Sequence, residues 1–242
     1  MRTMHHIPSL LELLRGRLVV SCQARAGEPL HGPAHMTAMA LSAIAGGAGG
    51  IRCEGPEDIA AIRGVTDLPL IGLWKAGHDG VYITPTLDHA LQVADAGADL
   101  VAVDATGRPR PDGRTLGETI AELTAHGVAV MADVSTLDEG IAAARAGAVV
   151  VGTTLSGYTP QTAGSPAPDL ALVAALAGAV DVPVFAEGRI QTPEQLAAAF
   201  DAGAWSVVVG GAITRPASIT AGFVEAIPAG AGHGAAARRI HA

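Results

Sequence analysis

Aromatic residues make up only 3% of this 242-residue chain, and charged residues only 16%. With so few rings, the core has to be built mainly from Ala, Val, Leu and Ile. The hydrophobic share of 49% and a mean hydropathy of +0.37 exclude a disordered chain. Basic residues are the minority: 15 against 23 acidic, a formal net charge of −8. That balance argues against a nucleic-acid partner, which needs a basic face. An anionic ligand would have to be held by a few placed cations. The two cysteines, Cys22 and Cys53, are too few for a disulfide framework or a four-thiolate metal site. Each sits in an apolar run, as expected of a buried thiol in a reducing cytosol. No stretch approaches the ~20 uncharged apolar residues of a membrane helix. The first twenty residues are interrupted by Glu12, Arg15 and Arg17 and lack the apolar run and cleavage site of a secretory signal. The expectation is a cytoplasmic protein with no membrane partner, ending in a flexible Gly/Ala-rich tail over 229–242.

What is present is a repeat. Eight short apolar runs, RLVVSC, GIRC, PLIGLW, DLVAV, VAVMA, VVVG, VPVFA and SVVVG, each end at a polar residue or glycine. They are continuous runs without period-2 alternation, as suits parallel strands buried on both faces. Helix-like stretches separate them, at Pro56–Arg63, Leu87–Ala96, Leu116–Ala125, Leu137–Ala146 and Pro193–Ala202, the last with Thr192 as N-cap and Pro at N1. Gly97, Gly127, Gly147 and Gly203 stand where helix-ending glycines belong. Eight βα units in one chain of this length predict a single-domain (β/α)8 barrel, a TIM barrel, over 1–242. An open doubly wound sheet is the alternative, less suited to eight regular units with no break. The Ser/Thr/Gly/Pro-rich segment 156–168 is a long loop after the sixth strand and a candidate lid.

In such a barrel the residues at the strand C-termini share one mouth. Here they are Gln23, Arg52, Lys75, Asp104, Asp133 and Glu187. Each has an ordinary structural alternative. Lys75 could pair with Asp79, Glu187 with Arg189, and Arg52 with Glu54, while Asp104 and Asp133 could cap helices. As chemistry, a mouth lysine near another cation can serve as a base or Schiff-base nucleophile, and Glu187 as its acid/base partner. After the last two strands come Glu187-Gly188-Arg189 and Gly210-Gly211-Ala212-Ile213-Thr214-Arg215-Pro216. Glycines there let backbone N–H groups approach an anion, a short helix adds its dipole, and Arg215 adds fixed charge. A phosphorylated small molecule is the inferred ligand. The histidines, His5-His6 and His31 with His35, suggest no metal site. The Gly46–Gly50 run precedes a strand and so fails the context of a dinucleotide site.

The strings LVVSCQ, GIRCEGPEDIAAI, YITPTL, VAVDATGRPRPDG, MADVSTLDEG, VVGTTLSGYTP, PVFAEGRIQTPEQ and VVVGGAITRP, from residue 18 to about 216, resemble the bacterial N-acetylmannosamine-6-phosphate 2-epimerases of sialic acid degradation. The resemblance implies a (β/α)8 barrel that interconverts N-acetylmannosamine 6-phosphate and N-acetylglucosamine 6-phosphate. It implies that Lys75 abstracts the C2 proton and that Glu187 is its acid/base partner. Gln23, Arg52 and Asp133 become sugar-binding and polarising groups, and Gly188, Gly210, Gly211 and Arg215 phosphate ligands. The proton at C2 becomes acidic only once the ring opens to the aldehyde, so that an enolate can form. A redox-neutral reaction of this kind calls for no cofactor and no metal. A homodimer is a possible assembly. Two other readings use the same residues: a Schiff-base aldolase, and a barrel that binds a sugar phosphate without turning it over.

Overall fold

The eight apolar runs pair in sequence order, all parallel, and the eighth returns to the first to close a barrel. The computed structural model describes residues 7–77, 80–164 and 166–228. Along the chain the elements are α1 Ile7–Leu14, β1 Leu18–Cys22, α2 Pro33–Ala45, β2 Gly50–Glu54, α3 Pro56–Arg63, β3 Leu70–Leu73, α4 Leu87–Asp95 and β4 Leu100–Asp104. Then follow α5 Leu116–Ala125, β5 Ala129–Asp133, α6 Leu137–Arg145, β6 Val150–Gly152, α7 Leu170–Ala179, β7 Val184–Glu187, α8 Pro193–Asp201, β8 Ser206–Val209, α9 Gly211–Thr214 and α10 Pro216–Glu225. The (β/α)8 barrel expected from the repeat is therefore the fold, and the open sheet is not. The expected tail, 229–242, lies outside the described residues, as do His5, His6 and Asp79.

Local chemistry sets the helix ends. Thr86, Thr115, Thr136, Asp169 and Thr192 each cap a helix with a side-chain oxygen, and Thr115 and Thr136 form reciprocal capping boxes with Glu118 and Glu139. The cap of α6 is thus Thr136, which leaves Asp133 free for another task. Gly97, Gly127, Gly147 and Gly203 all take positive φ just past a helix.

Burial divides into two shells. Outward-facing strand residues such as Ile51, Val101, Val130, Val151 and Val207 pack against the helices. Inward-facing residues fill the barrel: Val19, Ile71, Leu100, Ala129, Met131, Val150, Phe185 and Val208. Leu10 and Leu14 of α1 join this inner shell and close the N-terminal end. The interior is a packed plug and its apolar filling stops short of the strand C-termini. Above Met131 and Phe185 the inward positions become Arg52, Asp133 and Glu187. That change of side-chain type marks the floor of the mouth.

Candidate active site

Arg52 on β2 lies across that floor with only 1% of its side chain exposed. Its guanidinium fork donates to both oxygens of Asp133, at 3.1 and 2.5 Å, and Nη1 also donates to Glu187 Oε2 at 2.7 Å. The reading of Arg52 as a mere neutraliser of Glu54 is thereby corrected. A cation buried this deeply survives because two carboxylates face it. Burial alone would lower its pKa, but Asp133 and Glu187 outweigh burial and hold the guanidinium above its ordinary value. Asp133 is fully buried and reaches the mouth through Arg52 and through Thr154, whose hydroxyl lies 2.6 Å from Asp133 Oδ1 and 3.2 Å from Glu187 Oε2. The backbone makes room for this cluster at Gly152. A Cβ there would stand 2.5 Å from Met131 Cε and within 3.3 Å of Thr154 Oγ1 and Asp133 Oδ1.

Glu187 ends β7, and its carboxyl is pushed up to about 7. The main cause is burial; Arg52 opposes it and Asp133 reinforces it. At neutral pH this carboxyl is therefore able both to give and to take a proton. Its expected structural partner, Arg189, is occupied elsewhere. Arg189 donates to the carbonyls of Ser156 and Ala167, and its guanidinium lies 5.3 Å from the Tyr158 ring centroid. It pins the segment after β6 beside the mouth.

Lys75 is placed by a hairpin and not by the end of β3, which stops at Leu73. Residues 74–76 run antiparallel to 82–84: Lys75 bridges to Ile83, and Ala76 N–H donates to the Tyr82 carbonyl at 3.0 Å. The amine donates to Gln23 Oε1 at 2.5 Å and sits 3.1 Å from Glu54 Oε2, with 34% of the side chain exposed. Gln23 is oriented in turn by its bond to Ser21 Oγ at 2.8 Å. Lys75 is also the sole lysine of the chain; the other 14 of its 15 basic residues are arginines. Composition carries that signal openly, and the reading by strand ends passed over it.

A cavity of about 440 Å³ opens over this floor. Gln23, Arg52, Lys75 and Glu187 line it together with Gly188, Gly210, Gly211 and Arg215. Seven of the eight are residues singled out at strand ends or in the two glycine motifs because of their charge or their glycine backbone; Gln23 is the eighth, fixed by its place after β1. Gly188 has φ +108, a conformation that favours glycine. Gly210 is the N-cap of α9, and Thr214 ties that short helix to β1 through the Ser21 carbonyl at 2.8 Å. The short helix at the mouth is α9, and Pro216 begins the next helix, α10. Asp104, by contrast, does not line the cavity. It is fully buried, bonded to Thr106 and paired with Arg108 at 2.6 Å. Tyr82, Thr154 and Tyr158 also line the cavity and went unnoticed in the sequence, because nothing in their spacing separates them from loop residues.

Fold and site together define a (β/α)8 barrel with an acid–base cluster at the C-terminal mouth, the arrangement of an enzyme of this architecture. Residues 36–229 match the family model described as "Putative N-acetylmannosamine-6-phosphate epimerase". A Cutibacterium acnes relative named for the 2-epimerase activity is 49% identical over 221 residues, covering 90% of this chain and 96% of its own length. A Clostridioides difficile relative of the same name is 47% identical over 220 residues, with 90% and 99% covered. A solved N-acetylmannosamine-6-phosphate 2-epimerase from Clostridium perfringens superposes with a TM-score of 0.87 at 44% identity, covering 93% of this chain and 98% of that one. The chain belongs to the N-acetylmannosamine-6-phosphate epimerase family.

Proposed function

We propose that this protein interconverts N-acetylmannosamine 6-phosphate and N-acetylglucosamine 6-phosphate by proton transfer at C2. The observation that carries the reading is the convergence of an amine and a carboxyl poised near neutrality in one cavity that also holds the glycine-rich anion motif. The phosphate sits against Gly188, Gly210, Gly211 and Arg215. There the backbone N–H groups at the start of α9 and a fixed cation meet its charge. Held at that end, the open-chain sugar lays C2 over the floor, and phosphate binding contributes positioning without touching the reacting carbon.

Lys75 takes the C2 proton, its amine held over the cavity by Gln23 at 2.5 Å and Glu54 at 3.1 Å. Charge then develops on the C1 oxygen, where a preorganised donor is worth the most. Arg52, fixed by Asp133, provides permanent positive charge at the floor, and Gln23 orients the lysine. Glu187 returns a proton to the opposite face of the enolate, or handles the ring-opening proton. No redox cofactor is needed, since no electrons leave the sugar. The sugar phosphate is the small-molecule partner of the cytoplasmic enzyme.

The protein is proposed to work as a homodimer. Helix α10 buries none of its residues, and Phe223, Val224 and Ile227 stand 75, 57 and 55% exposed. A second copy of the chain is the partner that would cover this apolar face; sedimentation of a monomer at micromolar concentration would remove the dimer from the reading. The function itself is tested in D2O. Incubation with N-acetylmannosamine 6-phosphate should give N-acetylglucosamine 6-phosphate carrying deuterium at C2, read by loss of the C2 proton signal in NMR. Binding of the sugar without conversion would leave only a binding barrel.

A further inference from the structure

The motif GRPRPDG, after β4, contributes nothing to the cavity, yet it contains a buried arginine. Arg110 is 7% exposed, and its fork donates to two main-chain carbonyls, Asp104 O and Thr84 O, both at 2.7 Å. Those two carbonyls belong to different pieces of chain. Asp104 ends β4, whereas Thr84 ends the hairpin that carries Lys75.

Thr84 is an unusual residue in its own right. It is fully buried and has φ +47, a left-handed conformation that a β-branched side chain rarely adopts. Its N–H donates to the Trp74 carbonyl at 2.7 Å, and its hydroxyl receives the Trp74 N–H at 3.1 Å while donating to the Ala102 carbonyl at 2.6 Å. Next to it, Asp104 N–H donates to the Ile83 carbonyl at 2.9 Å. Thr84 therefore fastens both sides of the residue that precedes Lys75. Arg110 fastens Thr84 to the end of β4.

We propose that Arg110 is a positioning residue for Lys75: by clamping the Thr84 and Asp104 carbonyls it holds the paired residues 74–76 and 82–84 on the end of β4 and so keeps the amine over the cavity. This rests on the reading of Lys75 as the C2 base. A strained backbone held by surrounding bonds is a recurrent feature of sites that need one geometry. An arginine fork suits the task because its donors are rigidly spaced in one plane, so that Nη1 and Nη2 each meet one carbonyl.

The test uses Arg110→Gln and Arg110→Met. Glutamine keeps one amide group in place of the fork, whereas methionine keeps a long side chain with no donor for either carbonyl, so the second variant decides the matter where the first fails to fold. Two readouts are taken on folded protein: kcat and KM with the sugar phosphate, and the rate at which acetic anhydride modifies Lys75, followed by mass spectrometry on its peptide. The single lysine makes the second readout unambiguous. The expected result is a kcat lower by about 100-fold, the scale of an ångström misplacement, with KM close to the wild-type value and acetylation several-fold faster as the amine leaves Gln23 and Glu54. A folded variant with wild-type kcat overturns the proposal. So does a loss of rate with Lys75 acetylated at the wild-type rate, since that is what a general packing defect would produce. A Lys75→Ala variant that retains full turnover would sink the base assignment alone, and the acetylation rates would still decide whether Arg110 holds the hairpin.

Discussion

Replacing Glu187 with Gln should change stability in a manner that depends on pH. The carboxyl has an ordinary pKa of 4.5 and is pushed up to about 7 in the folded protein, first by burial. A group whose pKa is raised on folding binds its proton more tightly in the native state. Native protein therefore holds more protons than unfolded chain between those two values, and stability falls as pH rises through that window. The rise from 4.5 to about 7, at ~1.36 kcal/mol per tenfold change in proton affinity, is a cost on the order of 3 kcal/mol to the ionised form. The neutral, nearly isosteric glutamine bears no such cost at any pH. Wild type and Glu187→Gln should thus be of similar stability near pH 4.5 and diverge above it, with the variant more stable by about 3 kcal/mol beyond pH 7. At ~2–4 °C per kcal/mol for a chain of this size, the Tm gap would reach roughly 6–12 °C. The measurement is thermal unfolding of both proteins in matched buffers from pH 4.5 to 8.5. A gap that stays flat with pH would refute the assignment of a raised carboxyl at this position. The same variant should lose turnover across the whole range, which separates the stability role of the group from its chemistry.

Lys75→Ala should reduce kcat by at least about 100-fold, the low end for loss of a positioned base, and borohydride added with substrate should trap no adduct on Lys75; a trapped adduct would favour an aldolase. Arg215→Ala should raise KM for the phosphorylated sugar far more than it lowers kcat, because its interaction is made equally in ground and transition states; a pure kcat effect would remove Arg215 from the phosphate site. Asp133→Ala leaves the Arg52 charge without its main partner and should cost about 3–5 kcal/mol in urea unfolding. Burial pushes the Cys22 thiol up to about 12 and raises Cys53 well above its usual range; both should ignore a disulfide reagent in native protein and react once the chain is unfolded.

Much of the barrel was legible because parallel strands buried on both faces write themselves as uninterrupted apolar runs, and the helix cap at Thr192 and the helix-ending glycines punctuate them. The mouth was legible for the same reason: Arg52 and Glu187 interrupt or end such runs. Less could be read about who pairs with whom. Arg52 was weighed against Glu54 and Glu187 against Arg189 because those residues are near in sequence. In the folded chain Arg52 meets Asp133 and Glu187, 81 and 135 positions away, on other strands. Asp104 has the same sequence signature as Asp133, and only the Arg108 that folds back on it tells them apart. The hairpin that holds Lys75 was invisible, since the bonds that define it run to Thr84, Ala102 and Arg110, none of which stands out by type or spacing.

Because the one side-chain amine of the molecule projects into its working cavity, any coupling chemistry that consumes amines is directed there. Activated-ester resins, dyes and aldehyde fixatives have only that group and the chain's own amino terminus to attack, so immobilising this protein by such routes would tether it through its own entrance. With both thiols buried and arginines lining the same cavity, an added tag is the route that would leave the entrance clear.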